Sequence, residues 1–151
     1  MTRKRLDGID LAARARARRR ALQAIYAWQL SGTSMTGIIE QFKREQEMEI
    51  ADLEYFEDLL RGVEREKSAL DQKLTPHLDR DVDAVDPIER AVLRLAAYEL
   101  ICRADVPYRV VINEAIETTK RFGADFGHTY VNGVLDKLAA EVRAAEYRRA
   151  G

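Results

Sequence analysis

The sequence predicts an all-α protein, and three features of its 151 residues support this class. Hydrophobic residues make up 46% of the chain and charged residues 34%, with only 8 Gly and 3 Pro, which is typical of helix-rich globular proteins. Apolar residues recur at helical spacing, and no alternating run is long enough to indicate a sheet. A chain of this length can fold as one domain around a substantial core.

The first helix is predicted over Asp10–Leu30, and Gly32 ends it because glycine adopts the left-handed cap conformation at little cost. Ile25 lies on the same face of this helix as Arg14 and Arg18. A core cannot hold both arginines without partners. We therefore expect the amino-terminal half of the helix to project beyond the core, or to stay frayed until an anion binds it.

Two further amphipathic helices are predicted in the first half of the chain. One spans about residues 34–47. The other begins after Asp52, a residue type favoured at the N-cap, and carries one buried apolar stripe over residues 53–63. The apolar pattern continues over residues 70–78, where Pro76 predicts a kink or a restart.

The acidic stretch 79–86 is the predicted boundary between two helical halves. A new helix follows with Asp86 as N-cap, Pro87 as its first residue and Glu89 as its third, a recognised start signal. Its apolar residues, within 88–101, cover more than one face. We therefore expect this helix to be central and buried.

Two more helices are predicted in the last third of the chain. The first covers residues 110–122 and is stopped by Gly123. The second runs from about residue 125 to 146, and its spacing predicts that Phe126 and Tyr130 are buried together with aliphatic residues.

Composition argues against several classes of protein. Cys102 is the single cysteine, which excludes an internal disulfide and a Cys-rich zinc site, favours a reducing cytoplasm, and predicts a buried thiol. No apolar run approaches the roughly 18 residues that cross a bilayer, and no signal peptide is recognisable. Nucleotide-loop and zinc-protease motifs are absent, and His128 has no catalytic partner nearby in the sequence. We expect no enzyme activity, no cofactor, no metal and no membrane association.

The net charge of −1 conceals a strong asymmetry. Residues 1–20 carry eight basic and two acidic side chains, a balance of +6, so the other 131 residues sum to −7. No acidic residue lies between Leu11 and Ile39, so the arginines from Arg14 to Arg20 lack a local partner. Such a run attracts a polyanion, whether RNA, DNA or an anionic membrane, although it is also compatible with a solvated helix end.

Aromatic residues near basic ones favour single-stranded RNA among these partners, because unpaired bases stack on rings while cations hold the phosphates. Tyr26 lies two turns beyond the arginine run. A second such segment contains Lys120, Arg121 and Phe122, with Tyr130 in the next helix. Core packing is an alternative role for each of the three rings.

Six separated blocks of the sequence resemble the NusB family in order and spacing. They are RRRALQAIYAWQL (18–30), LLRGV (59–63), IERAVLRLAAYEL (88–100), VPY (106–108), VINEA (111–115) and FG with YVNGVLD (122–123 and 130–136). The resemblance covers about residues 14–143, and a set of ordered blocks is far more specific than any single motif.

The resemblance implies one RNA-binding domain with an all-α fold of two packed three-helix subdomains. The corresponding ranges are a basic arm at 1–13 and helical subdomains at 14–80 and 86–147. It also implies binding of single-stranded boxA RNA in nascent, chiefly ribosomal, transcripts. The implied protein partners are NusE, a small-subunit ribosomal protein, and an antitermination complex on RNA polymerase.

The residues expected to contact RNA are Arg14, Arg16, Arg18, Arg19, Gln23, Tyr26, Lys120, Phe122 and Tyr130. Glu89 matches the family surface that meets the basic NusE, and the anionic body of the chain suits such a partner. Two alternatives remain open. The chain resembles the RNA-binding module of an rRNA cytosine methyltransferase, which would need a further catalytic domain. It could also be a homodimer that masks its own arginines, so we expect a monomer or a weak homodimer.

Overall fold

Seven α-helices form most of the computed structural model, which describes residues 5–6, 9–45 and 51–150. They are α1 (Leu11–Ser31), α2 (Met35–Glu45), α3 (Leu53–Leu74), α4 (Pro87–Cys102), α5 (Tyr108–Phe122), α6 (Gly127–Val142) and α7 (Ala144–Ala150). The predicted all-α class is confirmed. A short antiparallel ribbon, β1 (Arg5–Leu6) with β2 (Ile9–Asp10), precedes α1. Two-residue strands are too short to show a sequence pattern, and residues 1–4 and 7–8 of the predicted basic arm lie outside the described residues.

Aspartate side chains cap three of the helices. Asp10, Asp52 and Asp86 each accept a hydrogen bond from a backbone N–H two or three residues later, at 3.0 Å. Each such bond satisfies an N–H that has no partner within the helix and contributes about 1 kcal/mol. At the other end of α1, Gly32 has the left-handed conformation, with φ of 71°. The predicted N-caps Asp52 and Asp86 and the predicted stop at Gly32 are confirmed.

Helix α4 lies at the centre of the molecule. Every residue from 91 to 100 is buried, and the helix packs against α1, α3, α5 and α6. A single apolar cluster contains buried residues from all of α1 to α6. The helices form two packed three-helix groups, α1–α3 and α4–α6, and α4 carries most of the contacts between them. The prediction of a central, buried fourth helix is confirmed.

The final helix is broken at Arg143, which the hydrophobic spacing did not predict. The guanidinium of Arg143 donates hydrogen bonds to three carbonyl oxygens at the carboxyl end of α4, at 2.7–3.2 Å. It also donates to Glu146 at 2.6 Å, and Glu146 in turn accepts from the backbone N–H of Tyr108 at 2.9 Å. Arg143 thus places a cation at the carboxyl end of α4, and Glu146 places an anion at the start of α5. Both arrangements are favoured by the helix dipoles.

Two residues expected to be buried are exposed. Cys102 is the last residue of α4 and faces solvent. Phe126 is 80% exposed, and α6 begins after it, at Gly127. Hydrophobic spacing predicted its burial on the assumption that the helix already included residue 126, whereas Phe126 has a left-handed backbone with φ of 66°. Pro76 lies in a 3₁₀ turn, Thr75–His77, directly after α3, consistent with the predicted restart.

Candidate nucleic-acid interface

The arginines of α1 divide between two faces of the helix. Arg14 and Arg18 are four residues apart and therefore share a face, which packs toward α3 and α4. Arg16, Arg19 and Arg20 lie on the opposite side and are half-buried. The two faces have different electrostatic surroundings.

Arg18 is held inside the protein by Glu99. Its Nε lies 3.0 Å from both carboxylate oxygens and its Nη2 lies 2.8 Å from Oε2, and only 5% of the residue is exposed. Burial alone would lower the pKa of Arg18, but the charge and hydrogen bonds of Glu99 outweigh this and raise it. This geometry argues against the expected contact of Arg18 with RNA, because its guanidinium is already paired inside the protein. The acid-free sequence around it gave no indication of an acidic partner supplied by α4.

Arg14 also has acidic partners from distant parts of the chain. Its guanidinium lies 3.5 Å from Asp52 and 3.7 Å from Asp105, and it stacks 4.1 Å from the centre of the Tyr55 ring. Ala13 and Ala17 beside it are buried. The amino-terminal half of α1 is therefore packed against the body, and the expectation that it projects or frays is wrong. Arg14 has little freedom to meet a phosphate.

Arg19 lies close enough to Arg16 and Arg20 of α1 and to Arg121 of α5 for their charges to act on it. Burial, followed by the nearby charge of Arg121, lowers the pKa of Arg19; Arg16 and Arg20 act in the same direction, and Glu114 offsets part of the effect. The Nε of Arg20 is buried and has no hydrogen-bond partner among the described residues. We call Arg16, Arg19, Arg20 and Arg121 the cationic patch. An anion bound here would relieve the repulsion between its members.

Gln23 and Tyr26 continue the same face of α1. They follow Arg19 by four and seven residues, so the three side chains lie along one side of the helix. Both are half-buried, and Tyr26 packs against the core. Gln23 makes no hydrogen bond to another described residue. Tyr26 therefore packs against the core while part of the residue remains exposed.

The α5–α6 segment supplies the remaining predicted residues. Lys120 is exposed and lies 3.8 Å from Glu117. Phe122 and Tyr130 are half-buried and pack against the core. The guanidinium of Arg80 lies 5.1 Å from the centre of the Tyr130 ring, and burial raises the pKa of this tyrosine. Arg121, which belongs to the second basic and aromatic segment of the sequence, is exposed in the last turn of α5.

Glu89 faces inward rather than toward a partner. The residue is 9% exposed, and a Cβ atom on Gly127 would lie only 2.8 Å from its Oε2. Burial, followed by the charge of Asp86, raises the pKa of Glu89. The carboxylate therefore lies beneath the start of α6 and leaves little surface for a protein to contact. This burial argues against the expected direct contact between Glu89 and a protein partner.

The described residues form neither a membrane span nor a metal-binding cluster. No helix there is both long and apolar enough to cross a membrane. No three His, Cys, Asp or Glu side chains in the same ranges lie together in a way that could hold a metal ion.

Comparison with known proteins identifies the family. The model of the NusB family matches residues 15–140 of this chain. The chain belongs to the NusB family. A transcription antitermination protein NusB from Xanthomonas axonopodis pv. citri (strain 306) is 64% identical over 147 residues, covering 97% of this chain and 92% of that protein. A protein of the same name from Xanthomonas oryzae pv. oryzae (strain PXO99A) is 66% identical over 142 residues, covering 94% and 91%.

Solved structures support the NusB fold. The NusB of T. maritima superposes with a TM-score of 0.77 at 29% identity, covering 89% of this chain and 96% of that one. A structure of antitermination factors NusB and NusE in complex with dsRNA matches with a TM-score of 0.71 at 24% identity, covering 92% and 98%. The cationic patch lies wholly inside the part of the chain that the NusB family model matches, whereas α7 lies outside it.

Proposed function

We propose that this chain is a transcription antitermination factor that binds boxA RNA of nascent transcripts together with NusE, joins the antitermination complex on RNA polymerase, and is not an enzyme. Relatives at 64% and 66% identity carry the name transcription antitermination protein. The structure of antitermination factors NusB and NusE in complex with dsRNA contains a chain of the same fold. Because bacterial transcription takes place in the cytoplasm, this function implies a cytoplasmic protein.

The observation that carries the proposal is the cationic patch. Arg19 of α1 is half-buried and lies near Arg121 of α5, and burial followed by this like charge lowers its pKa although Glu114 offsets part of the effect. Guanidinium groups bind phosphate oxygens in a two-pronged geometry, and each neutralised phosphate releases counterions from the nucleic acid. A flexible RNA backbone can follow such a patch from one helix to the next.

We propose a revised set of RNA-contacting residues. The arginines are those of the cationic patch; Gln23 supplies an amide, and Tyr26, Phe122 and Tyr130 supply ring edges. Lys120 lies at the rim, while Arg14 and Arg18 serve the fold. With helical subdomains at 14–80 and 86–147, this surface crosses from one subdomain to the other, so its geometry depends on their packing.

The methyltransferase module is not favoured as an alternative. That function needs a separate catalytic domain with a cysteine nucleophile. The chain covers 91–92% of the length of its Xanthomonas relatives, so those relatives have no room for such a domain. The name of these relatives describes a transcription factor and not a methyltransferase.

Fluorescence anisotropy with a labelled single-stranded boxA oligonucleotide tests the proposal. We expect boxA RNA to bind more tightly than a scrambled oligonucleotide of the same composition, and added NusE to widen the difference. Affinity should fall steeply with salt concentration, as expected for several phosphate contacts. Equal affinity for both oligonucleotides with NusE present would contradict the proposal.

A further inference from the structure

Phe126 combines high exposure with an unfavourable backbone conformation. It is 80% exposed, and its φ of 66° and ψ of 1° place it in the left-handed region. This conformation brings the Cβ of an L-residue too close to the following carbonyl oxygen and is adopted mainly by Gly, Asn and Asp. Neither burial nor backbone preference explains a phenylalanine here. Such outliers are concentrated at functional sites.

Close packing on both sides fixes the turn that carries this ring. A Cβ atom on Gly123 would lie 2.8 Å from a backbone oxygen of α5 and 3.6 Å from Ile88. A Cβ atom on Gly127 would lie 2.8 Å from the carboxylate of Glu89. The backbone at Gly127 therefore lies directly against Glu89 of α4, while Gly123 is held at the end of α5 by a hydrogen bond from its N–H to the carbonyl oxygen of Thr119. The inward-facing Glu89 acts as part of the support beneath this turn.

Cationic and aromatic residues lie within five positions of Phe126 along the chain, although its immediate neighbours are Asp125 and Gly127. Arg121 of the cationic patch and Phe122 end α5 a few residues before it, and Tyr130 follows it by one helical turn. Rings set beside guanidinium groups bind single-stranded nucleic acid, since bases stack on the rings while the cations hold the backbone.

We propose that Phe126 is a base-stacking residue, whose exposed ring binds the face of an unpaired nucleobase in the RNA strand held by the cationic patch. The inference rests on the proposed function, since it adds one contact to the same RNA. The base must be unpaired, because a base inside a duplex has both faces covered by its neighbours. Every base has a π-face, so this contact adds affinity more than sequence preference.

A set of substitutions at this position separates the ring from the backbone. Phe126→Gly and Phe126→Asn remove the ring and tolerate the left-handed conformation, so the thermal midpoint should stay close to that of the unmodified protein. Affinity for the boxA oligonucleotide should fall by about tenfold in both variants. Phe126→Tyr should keep its affinity, whereas Phe126→Leu should lose as much as the glycine variant, because it is apolar without a π-face.

Leu30→Ala is the matched control, because Leu30 is the next most exposed large apolar residue of the described chain, at 55%, and lies at the far end of α1. We expect its RNA affinity to equal that of the unmodified protein.

Abasic substitutions in the oligonucleotide locate the stacked base. Each position is replaced in turn, and the affinities of the unmodified protein and of Phe126→Gly are compared. We expect one position at which the two proteins bind equally, since the ring then has no base to contact. Full affinity of Phe126→Gly or of Phe126→Leu, or a constant difference at every position, would overturn the stacking role. Those results would leave the proposed function intact if the unmodified protein still prefers boxA RNA; loss of that preference would overturn both.

Discussion

Glu99 on α4 receives three hydrogen bonds from Arg18 on α1, across 81 positions of sequence. Both groups are almost fully buried, and Tyr55 donates a further hydrogen bond to the same carboxylate. A buried carboxylate that loses its cation keeps the cost of having left water. The arginine in the middle of the basic run is thus a structural residue.

Arg18→Met should lower the free energy of unfolding by about 3 kcal/mol or more, because it leaves Glu99 buried without its counterion. Arg19→Ala, one position away, should change it by less than about 0.5 kcal/mol. Urea denaturation followed by circular dichroism measures both. Similar losses in the two variants would show that the faces of α1 are not divided as described.

Arg19→Ala combined with Arg121→Ala should weaken RNA binding and reduce its salt dependence. The logarithmic slope of affinity against salt should fall by about one unit for each phosphate contact removed. The thermal midpoint should not decrease, since the substitutions relieve repulsion between like charges. Arg44→Ala, an exposed position at the end of α2, is the control and should leave the slope unchanged. A slope that also stayed constant in the double variant would exclude these two arginines as phosphate ligands.

Gly62→Ala should destabilise the protein by about 1–3 kcal/mol through overpacking. An added Cβ would lie 2.2 Å from the Tyr98 ring, which packs directly on this residue of α3. Gly133 on α6 is the opposite case, because nothing lies within 4 Å of an added Cβ. Gly133→Ala should therefore stabilise the helix by roughly 0.5–1 kcal/mol. Thermal unfolding of the pair tests the prediction, which fails if both shift in the same direction.

Glu89→Gln should stabilise the protein at neutral pH. Burial, with a smaller effect of Asp86, raises the pKa of Glu89 above its ordinary value of 4.5. The folded state therefore binds this proton more tightly than the unfolded state, so stability is lost as pH rises through the interval between the ordinary and the raised pKa. Glutamine has no such dependence.

Chemical denaturation of Glu89→Gln and the unmodified protein at pH 7.5 and pH 4 compares the two. The advantage of the variant should be present at pH 7.5 and shrink toward pH 4, where the carboxyl group of Glu89 is protonated in both states. An advantage that grew on acidification would contradict the inward, weakly solvated position of Glu89.

Helix starts and stops could be predicted because their signals act over a few residues. Asp52 and Asp86 cap their helices through backbone groups two or three positions away, and Gly32 ends α1 by its own conformational freedom. The buried character of α4 followed from apolar residues on more than one face. Each of these features is local, so a single sequence contains the information.

Only part of the candidate site could be predicted from the sequence. The residues whose positions were predicted wrongly are placed by contacts between distant parts of the chain. Nothing near Arg18 in the sequence indicates that Glu99 will contact it, so helical spacing could not distinguish this buried arginine from the half-buried ones on the opposite face. Glu89 was correctly identified as a helix start, but its burial depends on the approach of Gly127. Phe126 was expected in the core because hydropathy carries no information about backbone conformation.

The long separation between Arg18 and Glu99 has a consequence during synthesis. The ribosome makes α1 well before α4, so the nascent amino-terminal segment exists for many elongation steps with Arg18 lacking its acidic counterpart. Only after the second half of the polypeptide has emerged can Arg18 pair with Glu99 and fix the orientation in which α1 holds Arg16, Arg19 and Arg20. The completed molecule alone presents a defined surface to RNA, whereas a truncated product retains a generic polycation.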